Sequence, residues 1–192
     1  MEDAATPDPL VPVQELVNTW FGHLAGGGDE NLANPADLAR WCRARGVEVA
    51  DAGVTDADVT LARDVREGVR AALAPHNDST RPEDAAALRR LEEIAPGLEL
   101  RVTLTGVPGL VSVRPGVREA LARVLAGPVL AGERAWSRLK VCREPRCRTA
   151  FYDSSRNGSG VWCSMAVCGA ANKQRAFVER RRARTAAARE AG

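Results

Sequence analysis

The chain has 192 residues, 45% of them hydrophobic and 27% charged, enough for a core without disulfide staples and too apolar for a disordered chain. With 27 Lys and Arg against 25 Asp and Glu, the formal net charge is only +2, and such an average argues against a protein that coats nucleic acid. No run approaches the roughly 18 apolar residues of a membrane-spanning helix, and the acidic, proline-containing start is unlike a signal peptide, so the expectation is a cytoplasmic protein with no membrane partner. Arg outnumbers Lys 25 to 2, a bias pointing to a high-GC bacterial genome.

Residues 1–9 read as a disordered N-terminus. Leu10, Val13, Leu16, Val17, Trp20 and Phe21 then fall at helical spacing, and Ala25–Glu30 reads as a loop. Asn34 as cap, Pro35 and Asp37 open a second helix whose inner face carries Leu38, Trp41 and Cys42. Thr55 and Asp58 have capping-box spacing, followed by a stripe of Val59, Ala62, Val65, Val69 and Leu73. Another helix starts at Pro82 and carries Leu88, Leu91 and Ile94. The period then switches to two: Leu98, Leu100, Val102 and Leu104 alternate with polar residues, Gly106–Gly109 turns, and Val111 and Val113 alternate back, predicting a hairpin. A last body helix from Pro115 should break or kink at Gly127-Pro128. The expected fold class is α+β: a mostly helical N-terminal domain with a small antiparallel sheet, followed by a small four-cysteine module.

Charge is not evenly spread. Residues 1–133 hold 13 Arg and 21 acidic residues, net −8, whereas residues 134–192 hold 14 basic and 4 acidic residues, net +10. Four of the five cysteines share that basic segment, which reads as a separate module. An acidic body could dock on this basic module and restrain it until a signal parts them.

Cys142 and Cys147 form one pair, Cys163 and Cys168 the other, each with four intervening residues. In a cytoplasmic chain such pairs point to one tetrahedral, structural Zn2+ rather than to disulfides. Buried structural thiols, a redox-sensitive zinc switch and an iron–sulfur site are the weaker alternatives. Four protein ligands leave no open position for catalysis, and no phosphate loop, HExxH or nucleophile elbow is present, so no enzymatic activity is expected. Cys42 reads as a small core residue, and His23 and His76 as exposed loop histidines. Trp136, Phe151, Tyr152 and Trp162 should wall the zinc core, with Asp153 supporting a turn. Arg143, Arg146, Arg148, Arg156, Lys173 and Arg175 around the metal, and Arg180, Arg181, Arg182, Arg184 and Arg189 beyond it, form the candidate nucleic-acid surface.

Trp136–Cys142, Cys147, Phe151–Asn157 and Trp162–Gly169 together resemble the CGNR zinc finger over about residues 134–182. In that family the finger usually follows an ABATE domain, and Leu16–Thr19 and Asn34–Trp41 are similar to the start of one. The resemblance implies an ABATE-like domain over 10–133, a finger over 134–182 and a basic tail over 183–192. It also implies a stress-linked transcription regulator that binds DNA. The chain departs from the family signature at Cys168-Gly169-Ala170-Ala171, where Asn and Arg are replaced, and Gly160 and Val161 stand where further Arg is expected. The zinc ligands survive and two or three nucleic-acid contacts do not, which also admits a zinc-stabilised protein–protein adaptor. A small-molecule effector in the N-terminal domain and a homodimer complete the expected partners.

Overall fold

The computed structural model describes residues 5–190, with only the backbone considered at residues 51 and 186–190. Asp8–Leu10 forms a 3-10 turn leading into α1 (Val11–Val17). Strands β1 (Trp20–Gly22) and β2 (Gly28–Glu30) form a short antiparallel hairpin. Then come α2 (Pro35–Arg43), α3 (Asp56–Leu73) and α4 (Asp84–Ile94). The hairpin of β3 (Leu100–Thr103) and β4 (Gly109–Ser112) precedes α5 (Val117–Ala131) and the single turn α6 (Glu133–Trp136). The cysteine module contains β5 (Leu139–Val141), β6 (Ala150–Tyr152), a π-turn (Met165–Gly169) and α7 (Ala170–Glu190). The strands make three separate two-stranded antiparallel sheets, so the fold is α+β as the periodicities indicate.

Local sequence explains the helix starts. The Asn34 side chain accepts a hydrogen bond from the Asp37 amide, and Thr55 and Asp58 cap each other reciprocally, satisfying amides that have no partner within the helix. The stripe of α3 is buried from Val59 to Leu73 against α1, α2 and α5.

Several expectations change. Residues 1–4 of the N-terminus lie outside the described residues, but residues 6–10 are held: Thr6 Oγ1 donates to Gln14 Oε1 at 2.6 Å, and Leu10 is fully buried. Trp20 and Phe21 belong to a strand rather than to the first helix, because Trp20 pairs with Glu30 and Phe21 with Asp29. Helix α5 runs through Pro128 and ends at Gly132. The proline sits in the last turn, so it forfeits its own bond to the Val124 carbonyl but only the end of the helix lies beyond it. His76 is no exposed loop residue: it is half-buried in a 3-10 turn, with Nδ1 2.8 Å from the Leu139 carbonyl and its ring edge-on to Trp136. Residues 183–190 continue α7 instead of forming a tail; the Arg189 side chain and residues 191–192 lie outside the described residues.

The largest revision concerns modularity. Leu139, Val141 and Ala150 of the cysteine module are buried in the same apolar cluster as Leu10, Leu16, Val65 and Leu121 of the body. A segment this small has little apolar material of its own, and it completes its core with the body's.

Candidate metal centre

The β5–β6 hairpin carries the first two cysteines on its closing loop. The Cys142 amide donates to the Thr149 carbonyl at 2.8 Å, and the Cys147 amide to the Glu144 carbonyl at 3.0 Å. These bonds fold Glu144-Pro145-Arg146 into a tight turn that brings both sulfurs to one side. Cys163 directly precedes Ser164, whose hydroxyl accepts from the Val167 amide at 3.2 Å and starts the π-turn. Cys168 lies within that turn, just before α7. A π-turn widens the helix by one residue per bond, and here it sets Cys168 back toward Cys163.

The four sulfurs lie within 4.8 Å of one another. Cys147 and Cys163 are 3.5 Å apart, Cys163 and Cys168 3.8 Å, too far for a disulfide bond. A tetrahedron with metal–sulfur bonds of about 2.3 Å has sulfur–sulfur edges of about 3.8 Å, so the arrangement fits a tetrahedral thiophilic dication. Three of the cysteines are buried and Cys163 is half-buried, with Leu24, Phe151 and Trp162 packed around them. Trp136 and Tyr152, expected on this wall, pack against the main core instead.

Electrostatics agree with a cation-binding role. In the protein alone, hydrogen bonds from Cys142 and Cys163 pull the Cys147 thiol far below its usual range. Hydrogen bonds with Cys142 and Cys147 push the Cys163 thiol far up, and burial pushes Cys168 up to about 12 with help from Cys142 and Cys147. Four thiolates at this spacing need a cation between them.

The site is clamped to the body by polar contacts. The Gly22 amide donates to the Cys147 carbonyl at 3.0 Å. A Cβ on Gly22 would stand 1.7 Å from the Arg146 carbonyl oxygen, so only glycine admits this approach. Asn77 donates to the Val141 and Val161 carbonyls at 2.8 and 2.9 Å, and Asn18 exchanges both of its amide bonds with the Ala150 backbone. Arg70, almost fully buried, donates to the Arg148 carbonyl at 2.6 Å and to Val17 and Trp20.

Two more buried charges brace the module internally. Glu144 is fully buried and accepts from the Arg146 amide, Asn172 and Arg175 at 3.2, 2.8 and 3.0 Å, tying the first cysteine loop to α7. Burial works to raise its pKa, but these bonds bring it below the usual value. Asp153 pairs with buried Lys140 at 2.7 Å and accepts from the Ser155 and Gly160 amides, holding the 153–160 loop.

The candidate nucleic-acid residues divide. Arg148 is buried in a bidentate pair with Asp84, its closest contact 2.6 Å, and is thereby removed from the surface. Its backbone is left-handed, with φ of 56°, so a turn geometry and a burial demand meet in one residue. Arg143 pairs with Asp78, and Arg175 with Glu144. Arg146, Arg156, Lys173, Arg180, Arg181 and Arg182 are exposed, as is Arg184. Sequence reasoning missed Asn18, Gly22, Leu24, Asn77 and Asp84, which support the centre from far along the chain and carry no periodic signal.

Residues 138–181 match the CGNR zinc finger. Residues 10–135 match ABATE, described as "Putative stress-induced transcription regulator". No curated protein matches the chain. No helix is long and apolar enough to cross a membrane among the described residues. With two thirds of its length in the one domain and the clustered cysteines in the other, the chain belongs to the ABATE family and carries a C-terminal CGNR zinc finger.

Proposed function

We propose that this protein is a DNA-binding transcriptional regulator acting in the cytoplasm, with one structural Zn2+ on Cys142, Cys147, Cys163 and Cys168. The observation that carries the reading is the basic helix issuing from the metal centre. Arg180, Arg181, Arg182 and Arg184 are exposed on α7, and the Glu144 contacts to Asn172 and Arg175 fix its base to the cysteine loop. A rigid basic helix neutralises phosphates and releases counterions, and its arginines can reach guanine edges in a major groove. When bound, the zinc supplies folding free energy and orientation rather than chemistry, because all four positions are protein ligands. A closed metal site supports reading the finger as a binding module rather than a catalytic centre.

The ABATE domain is the regulatory half in this reading. A cleft of about 400 Å³ lined by Thr19, Glu30, Asn31, Asp37, Arg40 and Trp41 has room for a small effector. The test is a fluorescence-anisotropy titration of labelled duplex at several salt concentrations. Affinity should fall steeply with salt and the slope should shallow by about one for each phosphate-binding Arg removed from α7. Absence of binding to any duplex at low salt would overturn the reading and favour the adaptor. The exposed Met165, Val167 and Phe177 of the finger would then be the docking residues.

A further inference from the structure

Helix α7 has two unlike sides. Asn172, Arg175 and Glu179 stand at i, i+3 and i+7 and so share one face. Asn172 and Arg175 turn that face to the buried Glu144. The helix packs mainly on the π-turn at its base, so its other side is open. There Lys173, Phe177, Arg180, Arg181 and Arg184 stand at i, i+4, i+7, i+8 and i+11, again one face, and all five are exposed. Glu179, the acidic residue of this stretch, is on the anchored side, so the open face is cationic except for one aromatic ring. Phe177 is 59% exposed and lies in a shallow groove edged by Arg180, Arg181, Arg184 and Thr185. Phosphate binding explains the cations but not the phenyl ring, which offers neither charge nor hydrogen bond. Ala170, seven residues before Phe177 on the same face, is exposed too.

We propose that Phe177 is a specificity-determining residue that reads the C5-methyl groups of thymines in the DNA major groove. The inference rests on the DNA-binding reading and adds to it what the duplex must present. A helix about 10 to 12 Å across fits a major groove about 12 Å wide. The thymine methyl is the apolar group on that groove's floor, and apolar side chains pair with it. The placement of the cations agrees. Lys173 lies one turn before Phe177 and Arg184 two turns after it, while Arg180 and Arg181 flank the ring to either side. Cations on both flanks reach the phosphates of both strands and hold the ring toward the base edges between them. Where the family signature has Asn, whose amide pairs with adenine, Ala170 leaves a methyl group. The base of the same face is thereby shifted toward apolar contact as well.

The probes are a labelled duplex of alternating A·T and T·A pairs and its twin with uracil in place of thymine. The twin keeps every charge and hydrogen-bonding group and lacks only the methyls. Anisotropy titrations with the full-length zinc-loaded protein at low salt should show about fourfold tighter binding to the thymine duplex, the ratio expected for one buried methyl group. Phe177→Ala should bind both twins equally with an unchanged salt slope, since it removes no charge. Its helical circular dichroism and zinc content should match the wild type, because the ring is exposed. Arg181→Ala should keep the thymine preference and shallow the salt slope by about one. Steep, salt-dependent binding of the wild type with equal affinity for the twins would overturn the inference and leave DNA binding standing. A thymine preference that survives in Phe177→Ala would overturn it too, since the preference would then belong to duplex shape. Binding to neither twin at low salt would overturn the inference and the DNA-binding reading together.

Discussion

The buried Asp84–Arg148 pair should make finger and body unfold as one. Asp84→Asn removes the charge while keeping the shape. It leaves the Arg148 guanidinium buried with no countercharge, against neutral acceptors only: the asparagine amide oxygen and the Ser79 carbonyl at 2.9 Å. Both side chains are about 5% exposed, so solvent cannot replace the lost carboxylate. Breaking a buried pair from one side costs about 3 to 5 kcal/mol, a large share of a total stability of about 5 to 15 kcal/mol. For a chain of this size that is a fall in Tm of about 10 °C. The effect should reach the metal, because Arg148 follows Cys147 and its carbonyl is held by Arg70.

The assay is urea unfolding followed twice on the same sample, by helical circular dichroism for the body and by a zinc-release dye for the finger. Both curves should shift together to lower urea and remain superimposed. The double variant Asp84→Leu/Arg148→Met should recover part of the loss, since an apolar pair leaves no uncompensated charge. A shift under 1 kcal/mol, or zinc release in a separate transition that leaves the helices intact, would refute the argument that the two domains share one core.

Chelating the zinc, or Cys163→Ser, should destabilise α1 and α3 as well as the finger, seen as faster hydrogen exchange in both helices. Gly22→Ala should cost 2 kcal/mol or more by denaturation, on the order of other severe steric changes, because its Cβ falls 1.7 Å from the Arg146 carbonyl oxygen. Asp153 gives a pH signature: burial works to raise its pKa, but hydrogen bonds from Lys140, Ser155 and Gly160 lower it from 3.8 to about 2. A depressed carboxyl stabilises above its unfolded value and loses that contribution as pH falls through its folded value. The stability gap between wild type and Asp153→Asn should therefore be full at neutral pH and narrow between about pH 4 and pH 2, as urea denaturation across that range will show.

What the sequence disclosed follows from the kind of signal each feature carries. The cysteine pairs are legible because metal coordination fixes residue type and spacing together. The caps at Asn34 and Thr55 are legible because the hydrogen bonds they make are local. The β1–β2 hairpin was hidden, since three-residue strands are too short for a period to register, and Trp20 and Phe21 also suit the helical spacing before them. The supports of the metal centre were hidden for a different reason. Asn18, Asn77 and Asp84 are polar residues in polar surroundings along the chain, and only the folded seam shows that their partners are backbone carbonyls and a buried arginine more than 60 positions away.

The same distinction applies to charge. A net of +10 over residues 134–192 suggests a basic shell around the metal, but a residue count weighs a buried arginine and a surface one alike. Lys140, Arg143, Arg148 and Arg175 face Asp153, Asp78, Asp84 and Glu144, and Arg138 is spent on the carbonyls of Asp153, Ser155 and Arg156. Two of those carboxylates, Asp78 and Asp84, come from the acidic body, so part of the division into acidic and basic halves is cancelled in the folded seam. The Asp84–Arg148 pair is built into the core, whereas the Asp78–Arg143 pair lies at the surface. Of the remaining exposed basic residues, Arg146, Arg156 and Lys173 stay near the metal centre, and Arg180, Arg181, Arg182 and Arg184 lie farther along α7. The longest exposed basic stretch therefore runs outward along one helix, away from the metal. This geometry keeps the loss of Asn and Arg at positions 170 and 171 at the base of the helix, where Ala170 is exposed and Ala171 half-buried, and leaves the longer basic stretch beyond them intact.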